Sequence, residues 1–409
     1  MIYKISKIQY LLYFILVILT YITSSNIVPP LVKWPANKMW YLVFFAATFF
    51  LIYGTRAVVS KKIVFPILVL FIYSICVTIS YFLNFGILWA LIYSLVGGLF
   101  YFILFYYFSY LCQNFSVKEL MLPFLVVSVF ILLMSFLVVL GYQPNFYLND
   151  SDQLDSYLNL KFGGGLIGFS GIYLNQNSFS IILMISIISI FLMIADGKDF
   201  NYKIRFLLFS FLLLSLGFLF LTMSRAAIFS SLILFMLFFI RGIRSKLNFY
   251  IIIFSVFFIV SILFIFNDFF DFFLSRIQND GTSNRIDIWT DAWQVFKRNL
   301  YFGVGIYEYI NSAGSKLSTH NVYINILVSF GFFAFFSWVS WVFIGVWKAF
   351  LILVKVNFFE NKVDVFISLS FLSILIHQMF ENTIVNTFSP LALFFMMLIA
   401  LVINRGKSF

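Results

Sequence analysis

Three basic side chains of this 409-residue chain have types and settings that could do chemistry: Arg225, Arg285 and His320. Arg225 stands in "LTMSRAAIF", in the middle of an apolar stretch from Phe206 to Ile240. Arg285 opens the segment "RIDIWTDAWQVFKR", and His320 stands in "STHNVYIN", where a polar stretch gives way to an apolar run. A guanidinium is always charged and grips phosphate or carboxylate oxygens in a planar fork. A neutral imidazole is the form a general base must take. The chain has only 2 histidines, so the placing of each matters.

Each position has a plain reading beside the chemical one. A single helix from Phe206 to Ile240 would be about 52 Å long, too long for one membrane crossing. The stretch must fold into a hairpin with its turn near Thr222-Met223-Ser224-Arg225, which leaves the arginine at or inside the outer interface. There it either snorkels to headgroups or pairs within a polar cavity. Ser283 or Asn284 is a candidate N-cap that places Arg285 in a first helical turn, against the helix dipole. Either an anion lies nearby or Asp287 serves as its partner. With Ser318 or Thr319 as N-cap, His320 falls in the first turn of an apolar helix, whose positive end keeps the ring neutral. It is then either a general base or an interfacial histidine. His377 precedes Glu381 by four residues in the eleventh span, so both are expected on one helix face. They read as a structural ion pair or as support for an outer cavity.

The elements that must position these groups are membrane helices. The composition is 63% hydrophobic and 10% charged, with 60 Phe and a mean hydropathy of +1.05. A soluble domain carries roughly 25% charged residues. Continuous apolar runs, each long enough for a ~30 Å hydrocarbon layer, recur from end to end and argue against a β-barrel. The expected fold is all-α: a polytopic membrane protein with about 12 transmembrane helices and a large, partly helical external loop. Spans are placed near 8–28, 39–58, 63–84, 87–111, 119–141, 175–195, 203–222, 225–241, 247–267, 321–349, 363–383 and 389–404. The first reads as a retained helix, since its apolar run exceeds a signal-peptide core and no small-residue cleavage site follows. Cys76 and Cys112 sit within or at the end of apolar runs and read as buried thiols.

The net charge of +11 follows from this topology and does not call for nucleic acid. With both termini cytoplasmic, most basic residues, among them Lys61, Lys62, Arg241, Arg244 and Lys246, fall in short cytoplasmic loops, as the positive-inside rule requires. The chain divides into residues 1–141 with spans one to five, a first external loop at 142–174, and spans six to nine at 175–267. A large external loop at 268–319 and residues 320–409, with spans ten to twelve and a cytoplasmic tail, complete it. In the second loop Ile286, Trp289, Trp293 and Phe296 recur at helical spacing, so that segment reads as an amphipathic helix on the membrane surface or as a cover for the bundle.

"SRAA" after an apolar span, then Arg285-Ile286-Asp287-Ile288-Trp289 with Ala292, Phe296 and "YFGVG", then His320-Asn321-Val322-Tyr323, resembles the O-antigen polymerase/O-antigen ligase superfamily. The likeness includes "FSGIYLNQNSFS" at the start of the sixth span and runs from about Phe162 to Asn404, while the first five spans match in hydropathy alone. The chain departs from the family pattern in having Asn175-Gln176-Asn177 in place of Asn-Pro-Asn. It also has Ser329-Phe330-Gly331 where the family often has Glu before the Gly that follows the His-Asn motif, so no role of that Glu carries over.

The resemblance implies an integral glycosyltransferase of GT-C type in the bacterial inner membrane, with its active site facing the periplasm. Donor and acceptor would be oligosaccharides on undecaprenyl pyrophosphate, and a chain-length regulator protein would be a partner. By this resemblance Arg225 and Arg285 hold the pyrophosphate and His320 takes the acceptor proton in an inverting displacement. Asn321, Tyr323, Asn177, Glu381 and His377 would support substrate binding. No cofactor or metal is expected, since the external acids form no divalent-metal cluster in the sequence. A polymerase is expected ahead of a ligase, which shares the chemistry and differs in acceptor. A lipid-linked oligosaccharide flippase is the remote alternative, because no internal repeat is found and the unusual charges gather at the outer face.

Overall fold

The computed structural model describes residues 2–24, 61–88, 90, 99–139, 176–196, 200–222, 224–242, 285–305, 309–310, 316–358, 361–381 and 389–405. The expected spans at 39–58 and 247–267, and the first external loop at 142–174, lie outside them. The described helices are α1 (Ile2–Ser24), α2 (Lys61–Phe85), α3 (Leu99–Asn114), α4 (Val117–Val139), α5 (Gln176–Asp196) and α6 (Tyr202–Leu221). They continue with α7 (Arg225–Gly242), α8 (Arg285–Arg298), α9 (Val322–Lys355), α10 (Lys362–His377) and α11 (Pro390–Arg405). Between α8 and α9 a two-residue ribbon pairs β1 (Tyr309–Ile310) with β2 (Lys316–Leu317) antiparallel. Among the described residues, 5 helices are long and apolar enough to cross a membrane, and α1, α7 and α11 carry shorter apolar segments. This is the architecture of an all-helical, polytopic membrane protein.

Local chemistry sets the helix starts. Ser116 and Glu119 form a reciprocal cap before α4: the Ser116 N–H donates to Glu119 Oε2 at 2.8 Å and the Glu119 N–H to Ser116 Oγ at 3.3 Å. Asn201 Oδ1 accepts from the Ile204 N–H at 2.9 Å to start α6. Pro390 begins α11, where its missing N–H costs no hydrogen bond.

Two helices are enclosed by the others. Every residue of α11 from Pro390 to Asn404 is buried, and α5 is buried from Phe179 to Ile190 without interruption. Helices apolar all round belong at the centre of a bundle, and these two take that place. By contrast α6 exposes Phe206, Leu207, Phe209 and Leu213 on one side. Some serines inside the bundle bond to backbone carbonyls, which satisfies their hydroxyls away from water. Ser186 donates to Ile182 O at 2.8 Å, and Ser373 of α10 crosses to Ser230 O of α7 at 2.7 Å.

The tenth expected span is not one continuous helix. The 34-residue α9 is broken at Gly331, whose φ of 80° and ψ of −176° are non-helical. The break frees carbonyls at Val328 and Ser329, and the turn after α8 satisfies them. Val304 N–H donates to Val328 O at 3.1 Å and Gly305 N–H to Ser329 O at 2.7 Å, while Ser80 Oγ of α2 also reaches Ser329 O at 3.0 Å. In return Phe332 N–H donates to Leu300 O at 2.9 Å. A Cβ on Gly331 would stand 2.3 Å from Tyr301 O, and one on Gly303 would stand 2.4 Å from Ser329 O. The glycines of "YFGVG" and of Ser329-Phe330-Gly331 thus let two backbones meet, and the meeting fixes α8 against α9.

Of the two expected seats, α8 takes the one against the bundle, with a different face turned inward. Ile288, Ala292 and Phe296 are its buried face, packed on α9, while Ile286 and Trp293 are exposed. The inward stripe runs at i, i+4, i+8 from Ile288, one position away from the tryptophans that suggested a surface orientation.

Candidate functional site

Five segments converge where α5, α7 and α9 begin and α10 ends. The hairpin turn falls where the length argument put it: α6 ends at Leu221, Thr222 is its C-cap, and α7 starts at Arg225, which is half-buried. Arg285 is the first residue of α8. Its candidate caps Ser283 and Asn284 lie outside the described residues.

The expectation for His320 is corrected. Asn321 is the N-cap of α9: its Oδ1 accepts from the N–H groups of Tyr323 and Ile324 at 2.9 and 3.1 Å. His320 therefore precedes the cap rather than lying in the first turn, and its φ of 47° is left-handed, which is uncommon for any residue but glycine. Both flanks hold it there. The Trp289 indole N–H donates to Thr319 O at 2.8 Å, and Thr319 Oγ1 donates to Asn321 O at 3.0 Å. Trp289, next to Ile288 on α8, thus turns inward rather than lying on a membrane surface.

The pairing of His377 with Glu381 on one helix face is also corrected. α10 ends at His377, with Gln378 as its C-cap, and a turn carries Glu381 away from the helix. The Gln378 amide N–H, a donor only, meets His377 Nδ1 at 3.0 Å, and His377 Nε2 is buried without a hydrogen-bond partner. Glu381 instead becomes the hub of the site. Asn177 of α5 donates to its Oε1 at 2.9 Å, an Arg285 guanidinium nitrogen lies 3.9 Å from the same oxygen, and His320 Nδ1 lies 3.7 Å from Oε2. The Glu381 side chain is 9% exposed, that of Arg285 22% and that of His320 36%, so the cluster opens outward through the histidine.

The electrostatics of Arg285 are mixed. Burial lowers its guanidinium from the ordinary arginine range, the Glu381 carboxylate opposes that shift, and the charge of Arg225 adds to it. The two arginines thus lie close enough to repel each other. Asp287 is exposed on α8, and the carboxylate that Arg285 meets is Glu381. Its Nε is buried with no hydrogen-bond partner. Two neighbouring cations, one carrying an unused buried donor, form a place where an anion would be held.

Asn321 and Tyr323 have their polar atoms committed to the scaffold. Asn321 Nδ2 donates to Met379 O at 2.9 Å, and Tyr323 OH donates to Leu375 O at 3.2 Å while its ring packs edge-on against Trp338. Both tie the start of α9 to the end of α10. Among the described residues no three His, Cys, Asp or Glu side chains gather where they could hold a metal ion.

Residues 209–339 match the family model described as O-antigen ligase. That segment, about a third of the chain, supports the likeness to the O-antigen polymerase/ligase superfamily. The matched segment contains Arg225, Arg285 and His320, and leaves out Asn177, His377 and Glu381. A comparison with curated proteins gives no match.

Proposed function

We propose that this protein is an O-antigen polymerase, or the polymerase of a related surface polysaccharide. It joins undecaprenyl-pyrophosphate-linked repeat units at the periplasmic face of the inner membrane by metal-independent, inverting glycosyl transfer on a GT-C-like bundle of about twelve spans. The observation that carries the reading is the convergence of Arg285, His320 and Glu381, with Arg225 within electrostatic reach of Arg285. An acceptor hydroxyl attacks the anomeric carbon, and the departing lipid pyrophosphate gains negative charge as the bond to it breaks. Arg225 and Arg285 are aimed at that charge, and fixed cations in a site shielded from water lower the barrier most effectively. His320 receives the acceptor's proton. Asn177 holds Glu381, while Asn321 and Tyr323 hold the segments that carry the histidine and the carboxylate. A chain-length regulator is the proposed protein partner, and both termini are proposed to be cytoplasmic.

The second reading is an O-antigen ligase, favoured by the description of the matching family. The same chemistry would then deliver the polymer to lipid A core. Deleting the gene and separating the surface glycolipids on a gel distinguishes the two. Core carrying a single repeat unit supports the polymerase, because ligation continues. Bare core, with long chains left on the lipid carrier, supports the ligase and overturns the polymerase.

A further inference from the structure

We propose that Glu381 is the positioning residue of this site: its carboxylate holds the His320 proton on Nδ1 and so turns the Nε2 lone pair toward the acceptor hydroxyl. The proposal rests on the transferase reading above and gives that reading a residue outside the matched family segment.

Geometry divides the two oxygens of Glu381 between two tasks. Oε1 accepts from the Asn177 amide at 2.9 Å and faces Arg285 at 3.9 Å, whereas Oε2 faces His320 Nδ1 at 3.7 Å. The second separation is longer than a formed hydrogen bond, and catalytic hydrogen bonds commonly tighten only when substrate is bound. Backbone and side-chain bonds hold the two segments in register: the Val322 N–H donates to Gln378 O at 3.1 Å and Asn321 Nδ2 to Met379 O at 2.9 Å. The left-handed backbone of His320 is imposed from both sides, through Thr319 and Asn321, so the direction of the ring is set by its neighbours. The Glu381 side chain is only 9% exposed, and a carboxylate so enclosed needs a countercharge. The charged and titratable groups around the pair are Arg285 from α8, Arg225 acting on Arg285 from α7, and His377 at the end of α10, which feels the Glu381 charge.

In the reaction the acceptor oxygen forms a bond to the anomeric carbon as the bond from that carbon to the pyrophosphate oxygen breaks, its electron pair leaving with the lipid pyrophosphate. The acceptor proton passes to His320 Nε2, and Glu381 stands against the imidazolium that results. Pyrophosphate oxygens compete with Oε1 for Arg285, so donor binding leaves more of the carboxylate's charge to His320.

Because the chain has only 2 histidines, imidazole nitrogen NMR on the full-length protein in lipid nanodiscs reads His320 directly once His377→Gln has assigned the signals. The expected spectrum shows neutral His320 with its proton on Nδ1; a proton on Nε2 overturns the proposal. Transfer assays on the same preparation, using lipid-linked repeat units extracted from a deletion host, add a second readout. Glu381→Gln is expected to lower kcat about 100-fold without raising KM. An unchanged kcat, or a loss carried by KM alone, overturns the proposal while the transferase reading stands. No transfer by the wild-type protein overturns both. Should Glu381→Gln fail to reach the membrane, the tautomer of the wild-type protein decides alone.

Discussion

The two ends of α10 each carry a carboxylate facing an arginine, and they are built to opposite effect. In the first turn Asp364 contacts Arg405 of α11 directly, one acid to one base, with Gln113 and Asn404 bonded beside them at 3.2 Å. Past the last turn Glu381 meets Asn177, His320 and Arg285 at 2.9, 3.7 and 3.9 Å, and the arginine keeps a buried donor unused. The first arrangement is closed: the guanidinium and the carboxylate satisfy each other, and α10 is fastened to α11. The second is open, because one carboxylate is spread over three partners and a second cation stands nearby. A closed pair holds helices together; an open one has capacity left for a ligand with several anionic oxygens.

The largest effect that would sharpen this contrast belongs to His320. His320→Ala should reduce polymer in a complemented deletion host by at least about 100-fold while protein in the membrane stays at the wild-type level. Normal chain lengths would remove the histidine from the chemistry. Next in size is Gly331→Ala, which forces a side chain into a left-handed backbone and against Tyr301 O. It should cost about 1–3 kcal/mol and lower the amount of folded protein, read as an earlier loss of fluorescence-detected monomer on heating. An unchanged melting profile would mean that the contact between the "YFGVG" turn and α9 does not hold the site. Asn177→Ala removes the 2.9 Å hydrogen bond to Glu381 Oε1. It should slow transfer by roughly tenfold, the scale of a hydrogen bond to a charged group, with little change in melting. Asp364→Asn is expected to be smallest: about 0.2–1 kcal/mol of stability for a partly exposed pair, with transfer rates like the wild type. A loss of rate as large as that of Asn177→Ala would erase the distinction between the two ends.

How much of this was legible in the sequence differs for the two kinds of feature. The hairpin at Thr222 to Arg225 follows from length alone, since no single helix of that size fits a bilayer. The helix opening at Arg285 follows from apolar periodicity, although the periodicity chosen faced one position away from the buried stripe. The basic trio was visible because charge is scarce in so apolar a chain. The hub was not, because a spacing of four residues places His377 and Glu381 together only if the helix continues, and α10 stops at His377. The position of His320 before its cap was hidden for a similar reason. Serine, threonine and asparagine in "STHN" are all competent N-caps, and the bond from Asn321 to Met379, distant in sequence, selects the asparagine. Local rules name the candidates in such a segment, and tertiary hydrogen bonds choose among them.

The central claim is that the open end of α10 is where lipid pyrophosphate is held during glycosyl transfer. The most direct measurement is transfer by the purified full-length protein in proteoliposomes supplied with lipid-linked repeat units, comparing wild type, Arg285→Ala and Asp364→Asn. The account predicts glycans longer than one repeat from the wild type and from Asp364→Asn, and none from Arg285→Ala. Equal yields from Arg285→Ala and the wild type would contradict it.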